Sequence, residues 1–578
     1  MKFWRGFWPP VDRRGRGVRG DFLDWSQGPL ELSHVRACLG GGSLQYSSTM
    51  AKFSIPNCVT YLRLFCWVVL SLSFLNARAE EYRRPNIVFI FTDDHAIQSI
   101  GAYGSKINKT PHIDRLASEG GIFLNSFCGN SICGPSRASV LTGKHSHKNG
   151  FYTNSGGAEF DGSQMTFPKL LQKAGYSTAL VGKWHLKSNP TGFDYWEVVP
   201  GQGSYYNPDF YTSTGQDRMK RYEGYITDIT TDLGLQWLEE RDQDKPFLLM
   251  CQQKAPHRTW APNLKHLYNY DDAPVPEPDT LFDDWTGRSQ TLAGNAMSIR
   301  DHFIYQWDMK FQERVPIAND FESRLHEPER PRMTPKQQAV WDAYYEPRNA
   351  AFIASPPTGV DLVRWKYQRY IKNYLRCIDS VDENVGRVLC YLDENGLSEN
   401  TIVIYSSDQG FYLGEHGWYD KRWIYEESLR MPFLIRWPEK IQPGTRFDQL
   451  LQNIDYAPTL LEAAGLEVPE EIQGASILPI LEDPDTDDWR KYLYYHYYEH
   501  LTEHGVPRHE GVRGERFKLI NFYSNDGLEL IDLKTDPNEL RDVSGVLEYA
   551  GVIEEMKTQL ERLRGKYDLP SHEESATH

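Results

Sequence analysis

The chain has 578 residues, with 63 Lys and Arg against 79 Asp and Glu, and a formal net charge of -16. That length is too great for one compact core and points to a large domain plus a smaller one. The acidic balance argues against general binding of nucleic acid or anionic membrane, so an anionic substrate needs a local cluster of cations.

In chain order, residues 1–49 are rich in Arg and Gly without a sustained apolar period. They read as disordered, or as sequence upstream of the true start. Residues 50–79 combine Met50, the cations Lys52 and Arg63, an apolar run over 64–75 and the site Ala77-Arg78-Ala79. Positive flank, short apolar run and small-x-small site describe a secretory signal peptide. The run is too short for a stable membrane span. The expectation is a secreted or periplasmic protein beginning near Glu80. Five cysteines follow, Cys128, Cys133, Cys251, Cys377 and Cys390, an odd number that leaves at least one unpaired.

Residues 86–91 form a continuous apolar run, which suits a strand buried on both faces. Residues 170–175 read as a helix end with a Gly stop. Residues 177–181, 246–252, 401–407 and 432–437 read as further strands. Between them Tyr374, Cys377, Val381, Val385, Val388, Leu389 and Leu392 recur at spacings of three and four, which marks an amphipathic helix. This alternation predicts an α/β fold over residues 80–473, a mainly parallel sheet covered by helices on both faces. Residues 262–358, rich in Pro, Asp, Trp and Arg, read as a long insertion of the kind that shapes substrate sites. Residues 474–578 read as a smaller α+β C-terminal domain. It has an aromatic run at 492–498, a hairpin from 517–522 and 528–533, and a charged helix over 547–566.

Four clusters sit at predicted strand ends, the edge where such sheets build sites. Asp93-Asp94 follows the first strand and offers hard oxygen ligands. Cys133-Gly-Pro-Ser-Arg137 sits at a loop-to-helix junction, with Arg137 one turn from the cysteine on the same face. Lys183 and His185, two apart in an extended segment, project to one side. Asp408-Gln409, with Lys421 beyond it, ends another strand. His257, in Lys254-Ala-Pro-His257-Arg258, adds a proton carrier. Each cluster alone has a bland reading: solvated loop acids, a buried cysteine, a core histidine. Together they bring oxygen ligands, two lysines, an arginine, two histidines and a nucleophile candidate to one edge.

Cys133-x-Pro-Ser-Arg137 with Leu141-Thr-Gly-Lys144 resembles the first signature of the formylglycine-dependent type I sulfatases. Gly175-Tyr-x-Thr with Gly182-Lys183-Trp-His185-Leu resembles the second, and the likeness runs from about residue 86 to 540. The resemblance implies an alkaline-phosphatase-like fold and conversion of Cys133 to formylglycine. A formylglycine-generating or anaerobic sulfatase-maturating enzyme would carry out that conversion. It also implies calcium held by Asp93, Asp94, Asp408, Gln409 and the modified Cys133. Gln409 departs from the Asn of many members but keeps a carbonyl on a longer arm.

The same resemblance implies roles. Lys183 and Lys421 clamp the sulfate, His257 protonates the leaving alcohol, His185 deprotonates the second hydroxyl of the hydrated aldehyde, and Arg137 holds the loop. Lys254-Ala-Pro-His257-Arg258-x-Trp260 is similar to carbohydrate sulfatases that remove 6-sulfate from N-acetylglucosamine. So is Val506-Pro-Arg508-His509-x-Gly511-Val-Arg513. The expected substrate is therefore a sulfated carbohydrate, with Arg508 and His509 as candidate contacts. The alternatives are a phosphonate or phosphate ester hydrolase of the same superfamily and a catalytically inactive glycan-binding homologue.

Overall fold

The computed structural model describes residues 84–578, except 156–158, 214–217, 314, 316–325, 525–526 and 576–578. Residues 81–578 form one compact unit. The expectations for residues 1–49 and 50–79 lie outside the described residues.

The ten strands of the main sheet are β1 (Asn86–Thr92), β2 (Gly121–Phe123), β3 (Ser177–Lys183), β4 (Tyr195–Val199), β5 (Asp209–Thr212), β6 (Met219–Arg221), β7 (Phe247–Gln252), β8 (Thr401–Ser407), β9 (Phe433–Arg436) and β10 (Thr445–Phe447). Their spatial order is β10-β2-β9-β8-β1-β7-β3-β4-β5-β6. Every residue of β1, β7 and β8 is buried, as apolar strands covered on both faces require. The central run β8-β1-β7-β3-β4 is parallel throughout. At the flanks β9 runs antiparallel to β8 and β2, and β5 and β6 are antiparallel as well. The parallel expectation therefore holds for the centre and stops at 432–437. A parallel return is usually made by a crossover α-helix, and the stretch from β8 to β9 carries no helix longer than the four-residue Glu426–Leu429, beside a 3-10 turn and a short hairpin.

The covering helices include α1 (Pro111–Glu119), α2 (Cys133–Thr142), α3 (Ile226–Glu240), α4 (Pro335–Ala354) and α5 (Gly359–Glu394). The 36-residue α5 starts well before the expected 374, because its buried stripe continues back through Tyr370, Tyr367 and Val363. Before α4 the described part of the insertion carries only short 3-10 turns, and Thr334 and Gln337 start α4 with a reciprocal capping box. Among the described residues, no helix is long and apolar enough to cross a membrane.

The C-terminal part is a four-stranded antiparallel sheet, β11 (Tyr492–Tyr497), β12 (His509–Gly514), β13 (Phe517–Phe522) and β14 (Gly527–Asp532), with α6 (Ala550–Tyr567) against it. Side chains alternate between its faces. Tyr494, Val512, Leu519 and Leu530 pack on Met556, Leu560 and Leu563 of α6. Leu493, Tyr495, Tyr497, Ile520 and Phe522 join the main core. Both faces are thus buried, which is why β11 is almost wholly aromatic.

Candidate active site

Parallel strands in register end at a common edge, so residues just past their carboxyl ends meet. Thr92 lies opposite Ser407, Phe91 opposite Gln252, and Gly182 opposite Gln252. Asp93 and Asp94 therefore stand beside Asp408 and Gln409, with Lys183 at the same level. Gly182 has φ 100°, and a Cβ there would lie 1.9 Å from the Gln252 carbonyl oxygen. Only glycine lets β3 approach β7 closely enough to deliver Lys183. Asp94 adopts φ 70°, with Tyr374 donating from its hydroxyl to the Asp94 carbonyl at 2.7 Å.

Cys133 is the first residue of α2, a helix buried along its whole length. One turn on, the Arg137 guanidinium ties the edge together. Its Nε and Nη2 donate to Asp408 Oδ2 at 3.0 and 2.9 Å. Its Nη1 donates to the Lys183 carbonyl at 2.9 Å and to Gln252 Oε1 at 2.7 Å. Lys421 Nζ donates to both Asp94 carboxylate oxygens at 2.7 and 2.8 Å. Lys183 Nζ pairs with Asp93, and Gln409 Nε2 donates to Asp94. His257 Nδ1 donates to the Arg258 carbonyl at 2.6 Å, and its Nε2 lies 3.8 Å from Asp94 Oδ2.

Carboxylate oxygens of Asp93, Asp94 and Asp408 all lie within 4.8 Å of one another, as do donor atoms of Asp93, Cys133 and His257. Three buried acids so close raise one another's pKa, against the pull of Lys183, Lys421 and Arg137. Burial pushes Asp94 up to about 8 against the pull of Lys421, with Asp93 and Asp408 adding to the rise. Burial and then Asp93 push Asp408 up to about 6. Asp93 alone is held well below the usual range, because against its burial stand Lys183 and Arg137. Asp93 Oδ1 and Gln409 Oε1 are buried with no hydrogen-bond partner. Orphaned oxygens beside three clustered carboxylates are the donor set that a hard divalent cation fits. Burial, then Asp93, pushes the Cys133 thiol up to about 12, so an unmodified thiol here is a poor nucleophile. Burial also keeps His185 and His257 neutral, with Lys183 reinforcing this at His185.

Cys133, His185, His257 and Lys421 open into one cavity of about 530 Å³. Trp307, Pro328 and Glu329 of the insertion form part of its wall, as expected of that segment. Arg508 and His509 do not line it. His509 is fully buried on the sheet face turned to the main core, its ring 5.2 to 5.8 Å from those of Trp423, Tyr495, Tyr497 and Phe522. Arg508 donates from Nε to the Tyr498 carbonyl at 3.0 Å. Arg513 is buried against Glu426 and the Phe127 ring. The C-terminal part reaches the cavity instead through Glu499, Thr502, Glu503 and His504, in the loop between β11 and β12. Asp420 and Arg422, either side of Lys421, also line it and hold left-handed φ values of 76° and 98°. Sequence reasoning passed over both, and their adjacency to Lys421 was the available signal. It named Lys254 without giving it a role, and it passed over Gln202, which lines the cavity and accepts from Lys183 Nζ.

The sulfatase family matches residues 85–466, and the family described as N-sulphoglucosamine sulphohydrolase, C-terminal, matches residues 414–566. The chain is 46% identical over 511 residues to an N-acetylglucosamine-6-O-sulfatase of Bacteroides thetaiotaomicron, covering 87% of this chain and 90% of that one. A solved complex with D-glucosamine-2-N,6-O-disulfate, described as its substrate, superposes with a TM-score of 0.80 at 46% identity, covering 84% of this chain and 98% of that one. A phosphonate monoester hydrolase of Agrobacterium radiobacter has a TM-score of 0.61 at 20% identity, covering 84% and 96%, and shares the alkaline-phosphatase-like fold alone. A family match that runs through every strand-end cluster, joined to 46% identity across nearly all of a relative, makes this chain a sulfuric ester hydrolase and a member of the sulfatase family.

Proposed function

We propose that the enzyme removes the 6-O-sulfate from a glucosamine residue at the end of a sulfated glycan, using formylglycine made from Cys133 and one calcium ion. The observation that carries the proposal is the walled cavity whose floor joins Cys133, Lys421, His185 and His257 to three buried aspartates. The relatives named for N-acetylglucosamine-6-O-sulfate and glucosamine disulfate support the sugar. Asp93, Asp94, Asp408 and Gln409 would hold the cation. Formylglycine supplies a hydrated aldehyde whose two hydroxyls can attack sulfur and then release it, while calcium supplies a Lewis acid for the sulfate oxygens.

The chain's own residues do the rest. Lys183 and Lys421, paired with Asp93 and Asp94 here, would bind the sulfate oxygens when a cation holds those carboxylates. His257 faces the cavity and delivers a proton to the leaving sugar oxygen; the arriving anion favours its protonated ring. His185, neutral and with an unpartnered buried Nδ1, takes the proton from residue 133. Arg137 acts through Asp408. The walls contributed by the insertion and by the β11–β12 loop favour a chain end, because an internal residue needs two open exits. A maturating enzyme that oxidises Cys133, and export with cleavage after Ala79, belong to the same reading and rest on the motifs described above.

The test is sulfate release from a panel of mono-sulfated sugars, with mass analysis of the peptide containing residue 133. Release confined to 6-O-sulfated glucosamines, with an aldehyde at 133, is the expected outcome. An unmodified thiol in fully active enzyme would overturn the mechanism. Equal rates on every sugar and on aryl sulfates would overturn the substrate.

A further inference from the structure

Three cations that line the cavity, Lys254, Arg258 and Arg422, have no task in the reaction so far described, and of these Lys254 has no carboxylate partner among the described residues. Lys254 lies two residues past β7 and lines the cavity, yet its side chain is nearly completely buried. The other cations there stand beside carboxylates: Lys421 pairs with Asp94, Arg258 with Asp308, and Arg422 lies 3.6 Å from both Asp420 and Glu499, while Lys183 behind the cavity pairs with Asp93. Among the described residues, no carboxylate comes within ion-pair distance of Lys254. Its Nζ lies 4.7 Å from the centroid of the Tyr205 ring, and its polar contact is a long 3.5 Å to the Arg258 carbonyl oxygen. Glu329 shares this wall, but its Oε2 already accepts from the backbone N–H groups of Tyr205 and Tyr206 at 2.9 and 3.1 Å. An ammonium kept out of water without a counter-charge is costly. Burial, and then the like charge of Lys183, bring its pKa down to about 8. Such a group becomes favourable when a ligand brings the missing anion.

We infer that Lys254 is a specificity-determining residue whose ammonium receives a second anionic sulfo group of the sugar, other than the ester being cleaved. The inference rests on the sulfated-glucosamine reading above. The scissile ester is met by the lysines that stand with Asp93 and Asp94. Lys254 shares its wall with Arg258 and Glu329 and rests on the buried Tyr205 ring, and no acid of the metal centre pairs with it. A compact ammonium acts as a point charge, and it suits one oxygen of a tetrahedral sulfo group. Stacking over the Tyr205 ring holds the ammonium in place while leaving its protons for the ligand.

The experiment compares kcat/KM for glucosamine-2-N,6-O-disulfate and N-acetylglucosamine-6-O-sulfate in the calcium-loaded enzyme, with 6-O-sulfate release as the readout. Wild type is expected to favour the disulfated sugar. Lys254→Gln should lower that preference roughly 10- to 100-fold, mainly through KM. Lys254→Arg should retain most of it, which a merely structural role would not predict. Should Lys254→Gln melt early, Lys254→Met keeps the buried aliphatic stem and carries the same comparison. An unchanged preference in the neutral variants would overturn the inference. So would an equal fall on both sugars, which would assign Lys254 to the scissile sulfate. Wild-type enzyme that releases sulfate from neither sugar would remove the glucosamine reading itself, and this inference with it.

Discussion

Arg137→Lys tests how the centre is held. The guanidinium donates four bonds, two to Asp408 Oδ2 and one each to the Lys183 carbonyl and Gln252 Oε1, all at 2.7 to 3.0 Å. A lysine keeps the charge but loses the planar fork, so it cannot span Asp408 and β3 together. Hydrogen bonds to charged groups contribute about 1.5–3 kcal/mol each. Losing roughly two of them, with Asp408 left half-paired in the interior, should cost about 3–5 kcal/mol. Movement of Asp408 and Lys183 by a fraction of an ångström should lower turnover by roughly 100-fold as well. Urea unfolding followed by tryptophan fluorescence reads the first effect, and sulfate release at saturating substrate reads the second. A variant with the wild-type midpoint and turnover would show that the fork does not hold the centre.

Three further outcomes follow from the same geometry. Chelation should unmask repulsion among Asp93, Asp94 and Asp408, abolishing turnover and lowering the melting temperature, with calcium restoring both; enzyme that stays active and equally stable after exhaustive chelation counts against the cation. Burial opposes the charge of His416, but Asp283 and Glu427 outweigh it and raise its pKa from 6.5 to about 9. Its contribution, about 3 kcal/mol, is therefore fully present below about pH 6.5 and lost as pH rises through 9. Unfolding midpoints across that window should fall in wild type and change less in His416→Gln, and parallel curves would refute this. His509→Ala should cost about 3 kcal/mol of stability without altering discrimination between sugars, and the opposite pattern in melting and kinetics would return His509 to the substrate.

The central strands were legible because burial on both faces leaves an unbroken apolar run, as in β1 and β8. The catalytic and metal-binding candidates were legible because each follows such a run, and parallel strands must end together. The antiparallel turn of β9 was not, since four apolar residues carry no direction, and the connection from β8 has no long helix to carry the chain back across the sheet. The irregular insertion hid α4 behind its composition.

By itself, then, the sequence determined the sulfatase family and the strand-end centre of Asp93, Asp94, Cys133, Lys183, His257, Asp408 and Lys421, because these depend on local pattern and short spacing. Only the tertiary structure decided that His509 faces the core while the loop before it faces the cavity. Strand periodicity gives two faces, and only packing against the main core says which of them is inside. Only the tertiary structure, too, separated Lys254 from Lys183 and Lys421. Three lysines look alike in sequence, and the difference lies in which carboxylates come within reach once distant segments close around them.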